Sequence, residues 1–419
     1  MQCSTIKQKI KKVLVWSQKI TKTDMVYVAH GTFWLTTSQA ISAVLSLLSA
    51  VAFGNLLSPE TYGTYKYILV IIGTLAIFSL PGMNMSVMRT VAQGFRGSLK
   101  RALTEKITWG LIGGILSMIL AAYYGIRGNS IFMMAFFMAA IIVPFMDSFT
   151  IYNGRLQGQK RFDLLTKYNV LIHAGTVLAT IITLFLTDHV LFLLASYLAA
   201  TVFFRMIVYR KSEAVAETAD ILNKDTISYG KHLSVIAVVG TIASQLDILL
   251  LGNFLGATTV AIYWFALAPL NPVKTLIKSI VNLSLPKFAN KDIRLIRKTL
   301  PKKIMQSAPL VVIPTILYIL LVPFLFRWFF PQYTSSIFFA QLAGLSLLFF
   351  PEKFMGAALM ATEKKKALYW NNSINAIAHI ILLAIFVPWL GVLGAIISLL
   401  VHHVIALLAS LFFFFYTPE

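Results

Sequence analysis

The stretch GNLLSPETYGTY at residues 54–65 recurs 198 residues later as GNFLGATTVAIY at residues 252–263. A second pair of segments, NMSVMR (84–89) and NLSLPK (282–287), keeps the same offset. Because both ends of one helix match at a single offset, the sequence predicts a fold made of two homologous halves. The residues shared by the first pair are Gly54/Gly252, Asn55/Asn253, Leu57/Leu255, Thr61/Thr259 and Tyr65/Tyr263.

Long apolar runs surround both copies of the repeat. Hydrophobic residues make up 58% of the 419 residues and charged residues only 12%, which a soluble globule could not hold without exposing large apolar surfaces. The runs have the length that a helix needs to cross a bilayer. We therefore predict an all-α membrane protein with about twelve spans, at 26–53, 65–88, 107–126, 131–153, 168–187, 190–209, 233–255, 260–286, 304–330, 336–360, 368–389 and 392–416.

The repeat divides these spans into two lobes of six. Each lobe holds an even number of spans, so both enter the membrane in the same orientation and are related by an axis along the membrane normal. A cleft between two such bundles can open to either side by rocking. The predicted domains are a basic N-terminal segment (1–25), an N-lobe (26–209), a linker (210–232) and a C-lobe (233–419).

The formal charge of +21 is spread along the chain rather than gathered in one patch. Most Lys and Arg residues lie in alternate connections between spans, so nucleic-acid binding is not needed to explain them. By the positive-inside rule these connections face the cytoplasm, together with both termini, in a multi-pass protein of the bacterial inner membrane. Residues 1–25 lack an apolar stretch long enough for a signal peptide. The basic segments are 1–25, 83–106, 154–167, 205–232, 286–303 and 352–366.

Motifs of enzymatic chemistry are missing from the sequence. It holds no phosphate-cradling glycine loop, no CxxC pair and no HExxH motif, and we expect no cofactor and no metal. His402 and His403 are adjacent and point to different faces of a helix, so packing or hydrogen bonding is the default for them, as for His379. The outer connections are too short for the acidic loop of a membrane-embedded glycosyltransferase. A scaffold role is the remaining class besides transport.

Polar residues inside spans mark candidate functional positions. Thr36, Gln39, Ser42, Ser46 and Ser49 share one face of span 1, as either a close-packing surface or a cavity lining. Ionisable groups inside spans usually face a cavity or a charged partner. Asp147 lies at the membrane interface, pairs with a charge or couples to an ion. Asp247 either pairs with a lysine of span 8 or takes up a proton or cation. Span 1 and span 7 are predicted to expose Gln39 and Asp247 to the cleft.

Four segments resemble the Wzx-type oligosaccharide flippases, of the superfamily that includes lipid II flippases and MATE drug exporters. The segments are LLSPETYGTY (56–65), LPGMNMSVMRTVAQ (80–93), GRLQGQKRFDLL (154–165) and LDILLLGNFLGATTVAIY (246–263). The resemblance implies a MATE-like fold that moves undecaprenyl-diphosphate-linked oligosaccharide to the outer leaflet, for O-antigen, capsule or another surface polysaccharide. It also implies a polysaccharide polymerase and a chain-length regulator as partners.

The two other branches of the superfamily remain as alternatives, a drug or cation antiporter and a lipid II flippase. Span 1 contains no Asp or Glu, whereas the MATE exporters carry a coupling acid there. The two extra C-terminal spans of lipid II flippases are also missing.

The resemblance implies a substrate that contains a diphosphate, and span 8 carries two lysines that could bind its negative charge. Lys274 and Lys278 lie four residues apart on one helix face, where an anion between them would relieve their repulsion. The PLNP segment at 269–272 is predicted to interrupt the helix. We predict that both lysines bind the diphosphate, with Arg89 and Gln39 as further substrate contacts.

Overall fold

The computed structural model describes residues 25–94, 99–214, 224–275, 293–353, 355 and 365–416, and this part of the chain contains helices and no strands. Eight helices are long and apolar enough to cross a membrane, and a bent pair, 225–243 with 246–255, makes a ninth. The all-helical membrane fold predicted from the sequence is therefore confirmed. The predicted N-terminal segment lies almost wholly outside the described residues.

The first half of the chain supplies the first six predicted spans. Short 3-10 turns at Ala76–Ser79 and Ser148–Ile151 extend two of the helices. The helices are α1 (Met25–Leu56), α2 (Pro59–Leu75), α3 (Met83–Ala92), α4 (Lys100–Ile126), α5 (Ser130–Met146), α6 (Tyr152–Gly158), α7 (Phe162–Leu186) and α8 (Val190–Ala214).

The second half continues with α9 (Lys224–Ala243), α10 (Leu246–Leu255), α11 (Ala257–Leu267), α12 (Ile293–Phe329), α13 (Ser336–Gly344) and α14 (Lys365–Tyr416). Since α8 runs to Ala214 and α9 begins at Lys224, the predicted linker is helical at both ends. Its lysines and glutamates are good helix formers, which allows the helices to extend beyond the apolar runs.

Helix α14 is a hairpin of two antiparallel arms rather than one long span. Gly391 has a φ of 59°, and Pro388 lies just before it. The side-chain amide of Asn371 on the first arm lies 3.3 Å from the hydroxyl of Ser410 on the second. The two arms correspond to predicted spans 11 and 12, so the helices are compatible with twelve spans.

Large apolar side chains cover the outside of the bundle. Trp328 is 82% exposed and Trp389 is 87% exposed. In water such a surface would aggregate, whereas in a bilayer it contacts lipid, and Trp is enriched where lipid meets water. The outer surface therefore fits an integral membrane protein.

Helix α2 begins abruptly because its first residues satisfy its free amide groups. The hydroxyl of Ser58 accepts a hydrogen bond from the Thr61 amide at 3.2 Å, and Pro59 occupies the first turn. Ser is a favoured N-cap residue, and Pro costs little at that position. This cap fixes the entry point of the helix that faces the second half.

The two halves meet mainly along α2 and α11. A Cβ built on Gly54 would lie 2.9 Å from the Phe265 ring, and one on Gly252 would lie 2.2 Å from the Tyr67 ring. At the offset of 198, Gly54 corresponds to Gly252 and Tyr67 corresponds to Phe265, so the second contact is the first with the two halves exchanged. Reciprocal contacts of this kind define a pseudo-two-fold relation between the halves, as the repeat predicts.

Aromatic side chains from both halves close one end of the bundle. The rings of Phe265 and Tyr333 stack at 3.8 Å between centroids, and Tyr62 and Phe330 lie 4.9 and 5.1 Å from Phe265. We call these four residues the aromatic seal. Nearby, the side-chain amide of Asn55 donates to the carbonyl of residue 329 at 2.9 Å.

A different contact joins the halves towards the other end, where α9 packs along α3. The Ser234 hydroxyl accepts a hydrogen bond from the Gly82 amide at 3.0 Å, and the hydroxyls of Thr90 and Thr226 lie 2.9 Å apart. Hydrogen bonds, rather than aromatic packing, therefore close this side of the bundle.

Candidate functional site

A cavity of about 700 Å³ lies inside the bundle, with most of its wall in the first half and one wall in the second. This volume is typical of sites for small molecules. Span 1 contributes Gln39, Ser42, Ser46 and Ser49, so its polar stripe is a cavity lining. Further hydroxyl and amide groups come from α7, α8 and the segment after α11, namely Asn169, Thr176, Thr180, Thr201, Asn271 and Thr275.

Several of these polar groups have open hydrogen-bonding capacity. The hydroxyls of Thr176 and Thr201 are buried and have no hydrogen-bond partner within the described part of the chain. Others are paired, such as Ser46 with His173 at 3.4 Å and Tyr152 with Asn169 at 3.0 Å. Buried hydroxyls without a protein partner need water or a polar ligand. The lining is therefore suited to a ligand with many hydroxyl groups.

Lys66 brings a positive charge into the cavity. Its ammonium nitrogen lies 4.2 Å from the centroid of the Trp264 ring and 5.3 and 5.7 Å from those of Tyr62 and Tyr65. These distances fall within the range of cation–π attraction. Lys66 lies seven residues into α2, roughly 10 Å along the helix from its first residue. It forms no ion pair with any described residue, so its charge is available to an anion.

Arg205 is the second cation of the lining, and it belongs to a fixed charge cluster. Its guanidinium donates to the Met146 carbonyl and lies 3.7 Å from the Asp147 carboxylate. The same carboxylate lies 3.4 Å from the ammonium group of Lys106, which is fully buried. Two cations share one acid, so the cluster keeps a net positive charge. Of the roles predicted for Asp147, an interfacial position, ion coupling or charge pairing, its position between Lys106 and Arg205 fits charge pairing.

Asp247 lies against Tyr263 rather than against a lysine. The tyrosine hydroxyl donates to the carboxylate at 2.6 Å, and Asp247 is not among the residues that line the cavity. The chain reverses direction at Gly256, which brings α11 back along α10. Within the described residues Asp247 forms no ion pair with Lys274, one of the two lysines of span 8 that the sequence suggested as its partner. The predicted exposure of Asp247 to this cavity is also not found.

Two of the remaining predicted residues, Lys274 and Arg89, lie outside the lining. Lys274 is partly buried and interacts electrostatically with Lys353, although its neighbour Thr275 does line the cavity. The helix is interrupted at 268–269, as the PLNP segment predicts. Arg89 is exposed and stacks over the Tyr229 ring at 5.0 Å. Lys278 lies outside the described residues.

Sequence reasoning did not single out Lys66 or Arg205 as site residues. Both were visible in the sequence: Lys66 is one of few cations outside the basic connections, and three aromatic residues surround it in TYGTYKY (61–67). Lys66 lies at the start of predicted span 2, where a lysine normally reaches the membrane surface. The aromatic seal above it closes that route.

A comparison with family models matches residues 28–291, more than half of the chain, to the family described as "Polysaccharide biosynthesis protein". The chain belongs to this family. The polysaccharide biosynthesis family includes the Wzx-type flippases, so the resemblance drawn from the four segments is confirmed. A sequence search among curated proteins gives no significant match.

Solved structures of similar fold are transporters. The lipid II flippase MurJ in an inward closed conformation is 14% identical, with a TM-score of 0.70 over 90% of this chain and 86% of that one. An inward-facing multidrug resistance MATE transporter is 13% identical, with a TM-score of 0.61 over 88% and 93%. The eukaryotic MATE transporter AtDTX14 is 12% identical, with a TM-score of 0.62 over 94% and 95%.

These likenesses confirm the predicted MATE-like fold in two lobes for this member of the polysaccharide biosynthesis family. Because the sequence identities are low, these structural likenesses show the fold and do not by themselves show the function. The family and its structural neighbours together support a transporter, of the lipid-linked flippase or related exporter class.

Proposed function

We propose that the chain is a flippase that moves an undecaprenyl-diphosphate-linked oligosaccharide from the inner to the outer leaflet of the bacterial cytoplasmic membrane. The glycan would feed O-antigen, capsule or another surface polysaccharide, with a polymerase and a chain-length regulator acting next. Alternating access between the two halves would carry the polar head group across, while the lipid tail stays in the bilayer.

The chemistry of the cavity carries this proposal. A sugar diphosphate presents hydroxyl groups and negative charge, and the cavity presents hydroxyls, amides and two cations, Lys66 and Arg205. No Asp or Glu occurs among the described residues that line it. A drug or cation antiporter needs the opposite charge at its site, so the lining disfavours that alternative. A lipid II flippase shares the diphosphate and differs in the glycan.

Lys66 and Arg205 are the proposed contacts of the diphosphate. Arg205 is oriented by Asp147 and by the Met146 carbonyl, whereas Lys66 is held only by aromatic rings. A phosphate oxygen can replace the weak attraction of the rings with a charge-assisted hydrogen bond. Lys274, Lys278, Arg89 and Gln39 stay in the proposal as further substrate contacts. Among those of the four that the structure describes, Gln39 lines the cavity.

The basic connections, in which Lys and Arg outnumber Asp and Glu, support the proposed sidedness. Arg155 with Glu213 and Lys231 with Glu105 lie at the end opposite the aromatic seal, at distances of 2.8 and 2.7 Å. Basic residues concentrate on the cytoplasmic side of membrane proteins. The aromatic seal would then face the periplasm, and both termini the cytoplasm.

The test replaces Lys66 with Gln, which removes the charge, and with Arg, which keeps it. Cells that depend on this chain for surface polysaccharide are assayed for lipid-linked oligosaccharide reached by an impermeant glycan-oxidising enzyme added outside. A hydrogen bond to a charged group contributes about 1.5–3 kcal/mol, so Lys66→Gln is expected to lower the transport rate by about tenfold or more. Lys66→Arg is expected to keep most of it.

Lys167 offers a matched control, since it is an exposed lysine on α7 outside the cavity. Lys167→Gln is expected to transport at the wild-type rate. Lys274→Gln, measured beside it, tests the lysine predicted from the sequence. Full surface-polysaccharide assembly by Lys66→Gln at normal membrane levels would rule out the proposed diphosphate contact. Export of a cationic drug without flipping would instead favour the antiporter.

A further inference from the structure

Three imidazole rings and a carboxylate gather in the second half, away from the cavity. His379 lies on the first arm of the α14 hairpin, and His402 and His403 on the second. The ring centroids of His379 and His402 are 4.6 Å apart, and those of His402 and His403 are 5.5 Å apart. Nδ1 of His403 lies 3.3 Å from the Glu352 carboxylate. We call these four residues the histidine cluster.

Glu352 and His403 are well shielded from solvent, whereas His379 and His402 are partly buried. The Glu352 side chain is 7% exposed and that of His403 is 13% exposed. The ring of Phe349 lies parallel to that of His403 at 6.1 Å. Nδ1 of His402 is buried and has no hydrogen-bond partner within the described part of the chain. A buried ring nitrogen without a partner in the protein can take up a proton or bind a water molecule.

The charges around the cluster come from three segments of the second half. Lys353 donates to Glu352 at 3.0 Å, on the side opposite His403. Lys274, on the segment after α11, interacts with Lys353. No second carboxylate and no metal-binding group of His, Cys, Asp and Glu is found there among the described residues. Glu352 therefore already has a cationic neighbour, and further positive charge in the cluster meets repulsion.

Imidazole is the side chain that ordinarily changes its charge between about pH 5 and pH 8. Two imidazoles in contact inside a membrane bundle cannot both carry a charge without a large electrostatic cost, so they bind protons as a coupled unit. Chains of His and acidic groups at such depth are typical of proton pathways.

We propose that the histidine cluster is a proton-binding site, in which the contacting rings of His379 and His402 hold at most one proton as a coupled pair while Glu352 holds His403. The arms join at Pro388 and Gly391, where the helix is already broken. The proposal concerns the proton alone and does not depend on which cargo the cavity takes.

The test measures proton binding directly in the full chain. Proteoliposomes without cargo are placed on a solid-supported membrane, and the pH is stepped from about 8 to about 5, the range in which His titrates. The wild type is expected to give a transient charge displacement. His379→Gln with His402→Gln is expected to abolish it, and each single change to lower it at least twofold. His189→Gln, in an exposed connection of the first half, serves as the matched control and is expected to keep the full signal.

A double variant that keeps the wild-type charge displacement would overturn the proposal. Should the double variant fail to fold, nitrogen-15 spectra of the wild type with labelled histidines give an independent answer. Coupled titration of two of the seven imidazoles supports the coupled pair. Seven independent titrations, or none in the cluster, would refute it. Loss of glycan flipping has no bearing on either measurement, so the two proposals can fail separately.

Discussion

Replacing Gly63 with Ala is expected to force the aromatic end of the protein open. A Cβ at this position would lie 1.8 Å from the carbonyl oxygen of Ala257, whereas ordinary contacts begin at 3.4 Å. Both the new methyl group and the oxygen are fixed to backbone, so neither can swing away. Helices α2 and α11 must therefore separate by roughly 1.6 Å, the difference between those two distances.

The size of the effect follows from the cost of overpacking, about 1–3 kcal/mol. A conformation in which the two halves part at the aromatic seal escapes that cost, so the equilibrium shifts towards it by roughly 5- to 150-fold. Gly73→Ala is the matched control, because Gly73 lies on the same helix and a Cβ there meets no atom within 4 Å.

The assay is a distance measurement by pulsed electron paramagnetic resonance, between spin labels at Glu60 and Thr334 after Cys3 has been replaced by Ser. Both labelled residues are exposed and lie near the aromatic seal. Gly63→Ala is expected to lengthen the distance distribution, and Gly73→Ala to leave it unchanged. The same distribution and the same melting temperature in wild type and Gly63→Ala would refute the reasoning.

Three further predictions concern the charge cluster, the buried carboxylate and the sidedness. Asp147→Asn leaves the fully buried Lys106 without its acid, and we expect it to lower the free energy of unfolding by about 1–3 kcal/mol. The melting temperature should fall accordingly. An unchanged melting temperature would contradict the pairing. Tyr263→Phe removes the 2.6 Å hydrogen bond to Asp247 and is expected to lower the free energy of unfolding by about 1–3 kcal/mol. Tyr318→Phe is the control, because the Tyr318 hydroxyl has no partner among the described residues, and it is expected to be nearly neutral. Equal losses of stability in the two variants would contradict the role of the Tyr263 hydrogen bond. Cysteines at Ser98 and Lys365 are expected to resist an impermeant reagent outside intact cells, and one at Asn129 to react; the reverse pattern would invert the proposed topology.

Patterns within a single helix were readable from the sequence. The spacing of Gln39, Ser42, Ser46 and Ser49 placed them on one face of span 1, but close packing and cavity lining share that pattern. The neighbouring helices decide between close packing and cavity lining, since α7 and α8 leave space beside this face of span 1. Periodicity gives the face of a helix, and only the assembled bundle shows what the face meets.

Contacts between distant segments were out of reach for the same reason. His379 and His402 are 23 residues apart in the sequence, and they meet because the chain reverses at Gly391. Asp247 meets Tyr263 because of the reversal at Gly256. The apolar runs predicted both pairs of helices, but the tightness of each turn sets which residues face each other.

Lys66 and Trp264 are equivalent positions of the repeat, and they touch each other. Equivalent residues in contact lie on the pseudo-two-fold axis, so a perfectly symmetric ancestor with lysine in both halves would have set two ammonium groups face to face. Fusion into one chain lifts that constraint, because each half can then change alone. Indole opposite lysine replaces repulsion with attraction. A single charge on the axis is a property that a strict homodimer could not possess.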